Sequence, residues 1–149
     1  MNRKTNIFDK IGTLVPGYKG YQEREGRREC DRQLREEIAN KLSLIEKKIT
    51  DSIDNANFEI LTTIENTRKK INNLNDLIKY SPYGESSLFA DSVIKENELD
   101  SIYQLDLQVL ENTENIQNNI NSLSFEELKE KIIILEDSIN QRNQFLKDL

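Results

Sequence analysis

The residues with the clearest chemical potential lie between positions 17 and 35, where two tyrosines and a run of arginines follow each other. The tyrosines alternate with glycines, a composition typical of a turn. Four of the arginines recur at helical spacing and form one stripe along a helix. Guanidinium groups bind carboxylates and phosphates through paired hydrogen bonds. We therefore predict a partner-binding site that consists of Tyr18, Tyr21, Arg24, Arg28, Arg32 and Arg35.

The same stretch allows a second interpretation, which is binding to single-stranded nucleic acid. Aromatic rings beside arginines can stack on bases, and Lys19 and Arg27 add positive charge here. However, the chain as a whole has a pI of about 4.9, whereas nucleic-acid-binding domains are usually basic. Nucleic acid is therefore the weakest of the partner classes that the sequence suggests.

Catalytic and metal-binding signatures are missing from the sequence. The chain has no histidine and a single cysteine, Cys30, which excludes histidine-based triads and Cys/His zinc sites. The acidic side chains fall mostly at exposed helical positions rather than in a recognisable pair for acid–base chemistry. We predict a protein that is not an enzyme, with no cofactor, no metal site and no small-molecule substrate. Cys30 is predicted to be a small packing residue.

One long stretch, residues 22–79, has to position these side chains. It contains no proline, and apolar residues recur along it at coiled-coil spacing. We predict a single helix of roughly 58 residues, about 85 Å long. A break at residues 54–57 would instead give a four-helix bundle.

The remainder of the chain predicts two shorter helices. Pro82 and Gly84 indicate a turn, residues 85–97 a compact loop, and apolar spacing a helix over 98–122. Ser124 and Glu127 form a capping-box pattern before a helix at 125–147. The predicted fold is all-α, an extended coiled-coil-like bundle, with residues 1–15 a short amphipathic segment and 16–149 a single helical domain.

The predicted hairpin of the two shorter helices is too short to cover the long one. An apolar stripe on the first half of the long helix would then stand exposed, which monomers usually avoid. We therefore predict self-association, or binding of a helical partner protein, through a seam made of Leu34, Ile38, Leu42, Ile45 and Ile49.

The N-terminal segment carries apolar residues on one helical face and basic residues around it. It could fold back on the bundle, which we favour, or bind an anionic membrane. The membrane-contact residues would be Ile7, Phe8, Ile11, Leu14 and Val15. A short amphipathic segment followed by long helices is similar in layout to phage-shock-protein-A-like scaffolds. The sequence shares no motif with them. Cysteine usage and the absence of a signal-peptide pattern predict a cytoplasmic location, with the inner face of the membrane as the alternative.

Residues 17–35 also carry a family resemblance. Their pattern resembles the GYxGYxxRExRRExDxxLR motif of an uncharacterised family of bacterial helical proteins. Further similarity lies at 81–84, 89–91 and 99–106, so that roughly a quarter of the chain is covered. The resemblance implies an all-helical fold and no particular activity. It also implies that the arginine segment and the Asp100/Asp106 segment belong to one surface.

Charge is distributed unevenly along the chain. Residues 1–21 have net charge +3, residues 22–79 are neutral, and residues 80–149 have net charge −9. With a straight long helix, the arginine stripe would lie roughly 60 Å from the acidic groups of the second half, including Asp91, Glu98, Asp100 and Asp106. We therefore predict a head-to-tail contact between chains or an acidic partner protein. Together these features indicate a non-enzymatic interaction or scaffold protein.

Overall fold

The computed structural model describes residues 3–55, 57–81, 86–90 and 92–149 and consists of helices joined by short turns. Within these ranges the α-helices are α1 (Arg3–Leu14), α2 (Arg27–Asp51), α3 (Phe58–Tyr80), α4 (Glu96–Asn119) and α5 (Phe125–Asp148). Two 3₁₀ helices, Arg24–Gly26 and Ser52–Asn55, flank α2. The described ranges hold no strand, and the prediction of an all-α fold is confirmed.

Helices α2 to α5 form a four-helix bundle of two hairpins. Helix α2 packs on α3 and α4, and α5 packs on α4 and α3. Ion pairs between helices fix the register halfway along the bundle: Lys41–Glu114 at 2.8 Å, Arg68–Glu46 at 3.0 Å and Lys70–Glu136 at 2.7 Å. In this register the C-terminal ends of α2 and α4 and the N-terminal ends of α3 and α5 lie at the same end of the bundle, which we call the distal end.

The predicted single helix over 22–79 is wrong. The chain leaves α2 through a 3₁₀ turn and starts α3 after Asn57, whose side-chain oxygen accepts a hydrogen bond from the Ile60 amide at 3.1 Å. Ser52 hydroxyl likewise donates to the Ile49 carbonyl at 2.5 Å. Short polar side chains compete with helical hydrogen bonds in this way and favour caps and turns. Of the predicted continuous stretch at 54–57, Ala56 lies outside the described residues.

The two later helices agree with the predictions. Helix α4 runs from Glu96 to Asn119 instead of 98–122, and α5 begins at Phe125 as predicted. The capping box is present, because the Glu127 amide donates to the Ser124 hydroxyl at 3.1 Å and the Ser124 amide to Glu127 Oε1 at 3.3 Å. The predicted turn at Pro82 and Gly84 lies outside the described residues, as does Asp91.

Because α3 folds back on α2, the predicted self-association seam is buried inside the chain. All five of its side chains are at most 3% exposed: Leu34, Ile38, Leu42, Ile45 and Ile49. They form the core together with apolar residues of α3, α4 and α5. The prediction that this stripe stands exposed is therefore wrong, because α3 and α4 cover it within one chain.

Helix α1 lies against α4. Ile11 and Val15 are buried in the core, and the ring centroid of Phe8 lies 4.5 Å from that of Tyr103. Ile7, Phe8 and Leu14 are partly buried against the same core. Of the two interpretations of this segment, the structure shows the packed one. Over the described ranges, no helix combines the length and apolarity needed to cross a membrane.

Candidate functional site

The Asp106 carboxylate is the centre of a polar cluster inside the bundle. The hydroxyl groups of Tyr18 and Tyr21 donate to its Oδ2 atom at 2.9 and 2.5 Å. On the other side, Nε of Arg142 donates to Oδ1 at 2.6 Å. Three segments therefore converge on one buried carboxylate: α4, α5 and residues 17–21, which we call the glycine–tyrosine turn.

Arg142 connects this carboxylate to a second one. Its Nη2 group donates to Oδ1 of Asp31, and Oδ2 of Asp31 lies 2.9 Å from Nε of Arg35. The side chains of Arg142, Asp31 and Asp106 are 0% exposed. Two cations and two anions thus alternate in the order Arg35, Asp31, Arg142 and Asp106. We call these four residues, together with Tyr18 and Tyr21, the arginine–aspartate cluster. Such balance is what a buried group of charges requires.

Two glycines position the tyrosines of the cluster. Gly17 and Gly20 have φ angles of 84° and 83°, a left-handed conformation that favours glycine. A Cβ at Gly20 would lie 2.5 Å from ring atoms of Phe8. The turn is held on both sides, since the Tyr21 amide donates to the Tyr103 hydroxyl at 2.8 Å and Arg27 Nε donates to the Tyr21 carbonyl at 2.7 Å. The two glycines therefore allow a tight turn, and the hydrogen bond from Tyr21 to Tyr103 attaches this turn to α4.

Burial sets the protonation behaviour of the cluster. It raises the pKa of the Tyr18 and Tyr21 phenols well above the usual value, and the negative charge of Asp106 raises it further. Both phenols therefore remain hydrogen-bond donors at neutral pH. Burial also raises the pKa of Asp106, while the Arg142 charge acts in the opposite direction. Burial alone would lower the pKa of Arg142, but Asp106 and Asp31 bring it well above its usual value.

The arginine–aspartate cluster is arranged to stabilise the fold and not to bind a ligand from solvent. Its charged groups are buried and directed at one another, so a substrate has no access to them without opening of the bundle. The contacts join the glycine–tyrosine turn, α2, α4 and α5. In the described part of the chain, no group of three or more His, Cys, Asp or Glu side chains could hold a metal ion.

The predicted partner-binding residues divide into two groups. Tyr21 and Arg35 are buried, and Tyr18 is partly buried, all three as members of the cluster. Arg24, Arg28 and Arg32 are exposed. The stripe is therefore not one continuous binding surface, because its last arginine turns into the bundle.

Two of the exposed arginines are already engaged within the chain. Arg32 forms ion pairs with Glu29 and Glu36 of its own helix. Arg28 lies over the ring of Phe89, 5.6 Å from its centroid, and donates to the Phe89 carbonyl at 3.3 Å. Arg27, which the nucleic-acid interpretation would need, is 4% exposed.

The implied association of the arginine segment with the Asp106 segment is present, but inside the core rather than on a surface. The expected separation of roughly 60 Å between these segments required a straight helix. That separation is wrong, because α3 folds back along α2. Sequence reasoning missed Arg142. The available signal was that Arg142 is the only arginine after Arg68, in an otherwise acidic half of the chain.

Cys30 is buried beside the cluster. Burial raises the pKa of its thiol to about 12, and the Asp106 charge acts in the same direction. Since the thiolate is the reactive form, we expect less than about a tenth of the alkylation rate of a free cysteine at pH 8. Iodoacetamide labelling followed by mass spectrometry measures this, with the urea-unfolded chain as the control. Equal rates for the folded and unfolded chains would contradict the prediction.

Comparison with models of protein families, with curated protein sequences and with solved structures gives no match to this chain.

Proposed function

We propose that this chain is a non-enzymatic interaction module that associates with a second copy of itself through its distal half. The observation that carries the proposal is the distribution of exposed large apolar side chains. Among the residues that the structure describes, five of seven lie at the level of the interhelical ion pairs or beyond it toward the distal end: Leu44, Phe58, Ile60, Ile133 and Ile134. We call them the distal apolar residues.

Two features of these residues support a contact with another protein. Phe58, at the first position of α3, is 87% exposed, and Ile134 is 54% exposed. Aromatic and aliphatic side chains that project from a rigid scaffold are typical anchors of protein interfaces. They come from α2, α3 and α5, so that one face of a partner could contact more than one helix.

A second copy is the partner that we propose, since an apolar surface paired with its own symmetry mate is self-complementary. The buried seam, on which the original prediction of self-association depended, has no part in this contact. Nucleic-acid binding receives less support, because Tyr21, Arg27 and Arg35 are in the core. Head-to-tail pairing of the arginine stripe also receives less support, because Arg32 and Arg35 are ion-paired within the chain.

Sedimentation velocity of the full chain over a range of concentrations tests the proposal. We expect reversible dimerisation, and we expect the double variant Phe58→Asp/Ile134→Asp to weaken it by at least about tenfold, because each charge would be buried at the contact. The matched control is Tyr80→Asp/Val93→Asp. These two side chains are also exposed, at 75% and 80%, but they lie at the opposite end of the bundle.

A chain that remains monomeric at all concentrations would overturn the proposal of self-association. Equal weakening by the distal and the control variants would show that the contact involves another surface. Circular dichroism confirms that the variants fold, which is expected because all four side chains are exposed.

A further inference from the structure

We propose that residues 3–21 are a releasable membrane-binding strap that the arginine–aspartate cluster holds in a docked position, and that its alternative ligand is an anionic lipid surface. The strap consists of α1 and the glycine–tyrosine turn. The inference is independent of self-association through the distal apolar residues.

The position of α1 supports release as a unit. Within the described part of the chain, α4 is the one helix that α1 packs against. Ile7, Phe8 and Leu14 remain only partly buried even when α1 is docked. Two glycines with left-handed backbone conformations, Gly17 and Gly20, follow the helix. The strap therefore adds a layer to a bundle whose four main helices pack on one another without it.

Directional hydrogen bonds hold the strap in addition to the apolar packing of α1. Tyr18 and Tyr21 donate to Asp106 at 2.9 and 2.5 Å, and the Tyr21 amide donates to Tyr103 at 2.8 Å. Asp106 keeps its ion pair with Arg142 when the phenols leave. Release therefore removes two hydrogen bonds from the Asp106 carboxylate without leaving it unpaired, and the contacts among α2, α3, α4 and α5 do not depend on the strap.

Charge favours an anionic surface as the alternative ligand. Residues 1–21 have net charge +3, whereas residues 80–149, which include α4, have net charge −9. Positive charge on the strap would attract anionic headgroups. The apolar residues that leave the core on release, Ile11 and Val15, are on the face that would enter the lipid. Apolar burial is thus exchanged between two environments instead of being lost.

Gly20→Ala provides the release variant. The added methyl group would lie 2.5 Å from the Phe8 ring and 2.9 Å from the Tyr103 hydroxyl, at a residue with φ of 83°. Gly12→Ala is the matched control, because its Cβ would meet no atom within 4 Å. Trypsin cleavage after Lys10, an exposed residue of α1, reports release, since cleavage requires local opening.

The experiment measures flotation of the full chain with phosphatidylcholine vesicles and with phosphatidylcholine/phosphatidylglycerol vesicles. We expect Gly20→Ala to bind the anionic vesicles at least about tenfold more strongly than wild type and Gly12→Ala, and to lose this gain at high salt. Zwitterionic vesicles are expected to give no gain. Adding Ile7→Asp to Gly20→Ala is expected to abolish binding while trypsin still detects release.

Faster cleavage of Gly20→Ala without increased flotation would overturn the assignment of lipid as the ligand. Dimerisation of that variant in place of vesicle binding would instead indicate exchange of straps between copies, and would also overturn it. If Gly20→Ala leaves cleavage unchanged or unfolds the bundle, Tyr18→Phe/Tyr21→Phe is the second release variant. Unchanged cleavage in the tyrosine variant would show that the cluster does not hold the strap.

Discussion

Replacement of Arg142 by methionine is expected to destabilise the protein by about 3–5 kcal/mol at pH 7, the usual cost of removing one partner of a buried ion pair. Methionine fills a similar elongated space without the charge. Arg142 is fully buried and donates to both Asp106 and Asp31. Its loss would leave Asp106 with two phenol donors and no cation. The melting temperature is expected to fall by roughly 10 °C or more, measured by circular dichroism.

The pH dependence of this variant distinguishes a lost charge from lost packing. Burial already raises the pKa of Asp106, and Arg142 opposes this effect. Without Arg142 the pKa rises further, so the folded chain binds a proton that the unfolded chain has released. The stability that protonation contributes is present at low pH and is lost as pH rises through the folded-state pKa. Urea denaturation is therefore expected to show a smaller deficit at pH 5 than at pH 8.

Arg68→Met is the matched control for Arg142→Met. Arg68 also contacts two carboxylates, Glu46 and Glu65, but its side chain is 29% exposed. Solvent screens such pairs, and we expect a loss of at most about 1 kcal/mol with little dependence on pH between 5 and 8. Equal losses for the two variants would show that the cluster has no special role in stability.

The arginine–aspartate cluster also shows how much of the candidate site could be predicted from the sequence. The resemblance implies only that the arginine segment and the Asp100/Asp106 segment share a surface; the structure shows that Tyr18 and Tyr21 of the first segment donate to Asp106 of the second. The interpretation as an exposed binding surface was wrong for part of the arginine stripe. Arginine spacing shows which residues share a helical face, but it does not show whether another helix covers that face.

The break in the long helix illustrates a second limit. The apolar spacing continues across residues 52–57, and local hydrogen bonds of Ser52 and Asn57 decide that the chain turns there. Periodicity reports the side that is buried but not whether the buried stripe is shared within a chain or between chains. By contrast, the capping box at Ser124 is a local signal, and it gave the start of α5 correctly.

Substitution of Ile38 by alanine tests the consequence of that break. Ile38 lies on α2 and is 0% exposed. Truncation of a buried isoleucine to alanine usually costs about 2–5 kcal/mol. On a straight, uncovered helix the same change would cost little in a monomer. We therefore expect a large fall in the free energy of unfolding, measured by urea denaturation at a concentration low enough to keep the chain monomeric.

The control for Ile38→Ala is Ile134→Ala, the same chemical change at a side chain that is 54% exposed. Its expected effect on stability is within about 0.5 kcal/mol, because little buried surface is lost and alanine favours the helix. The self-association measured by sedimentation should respond in the opposite order, with Ile134→Ala weakening it and Ile38→Ala acting only through unfolding. A stable, monomeric Ile38→Ala chain would contradict this prediction, because it would mean that the stripe from Leu34 to Ile49 forms the contact between chains instead of the core.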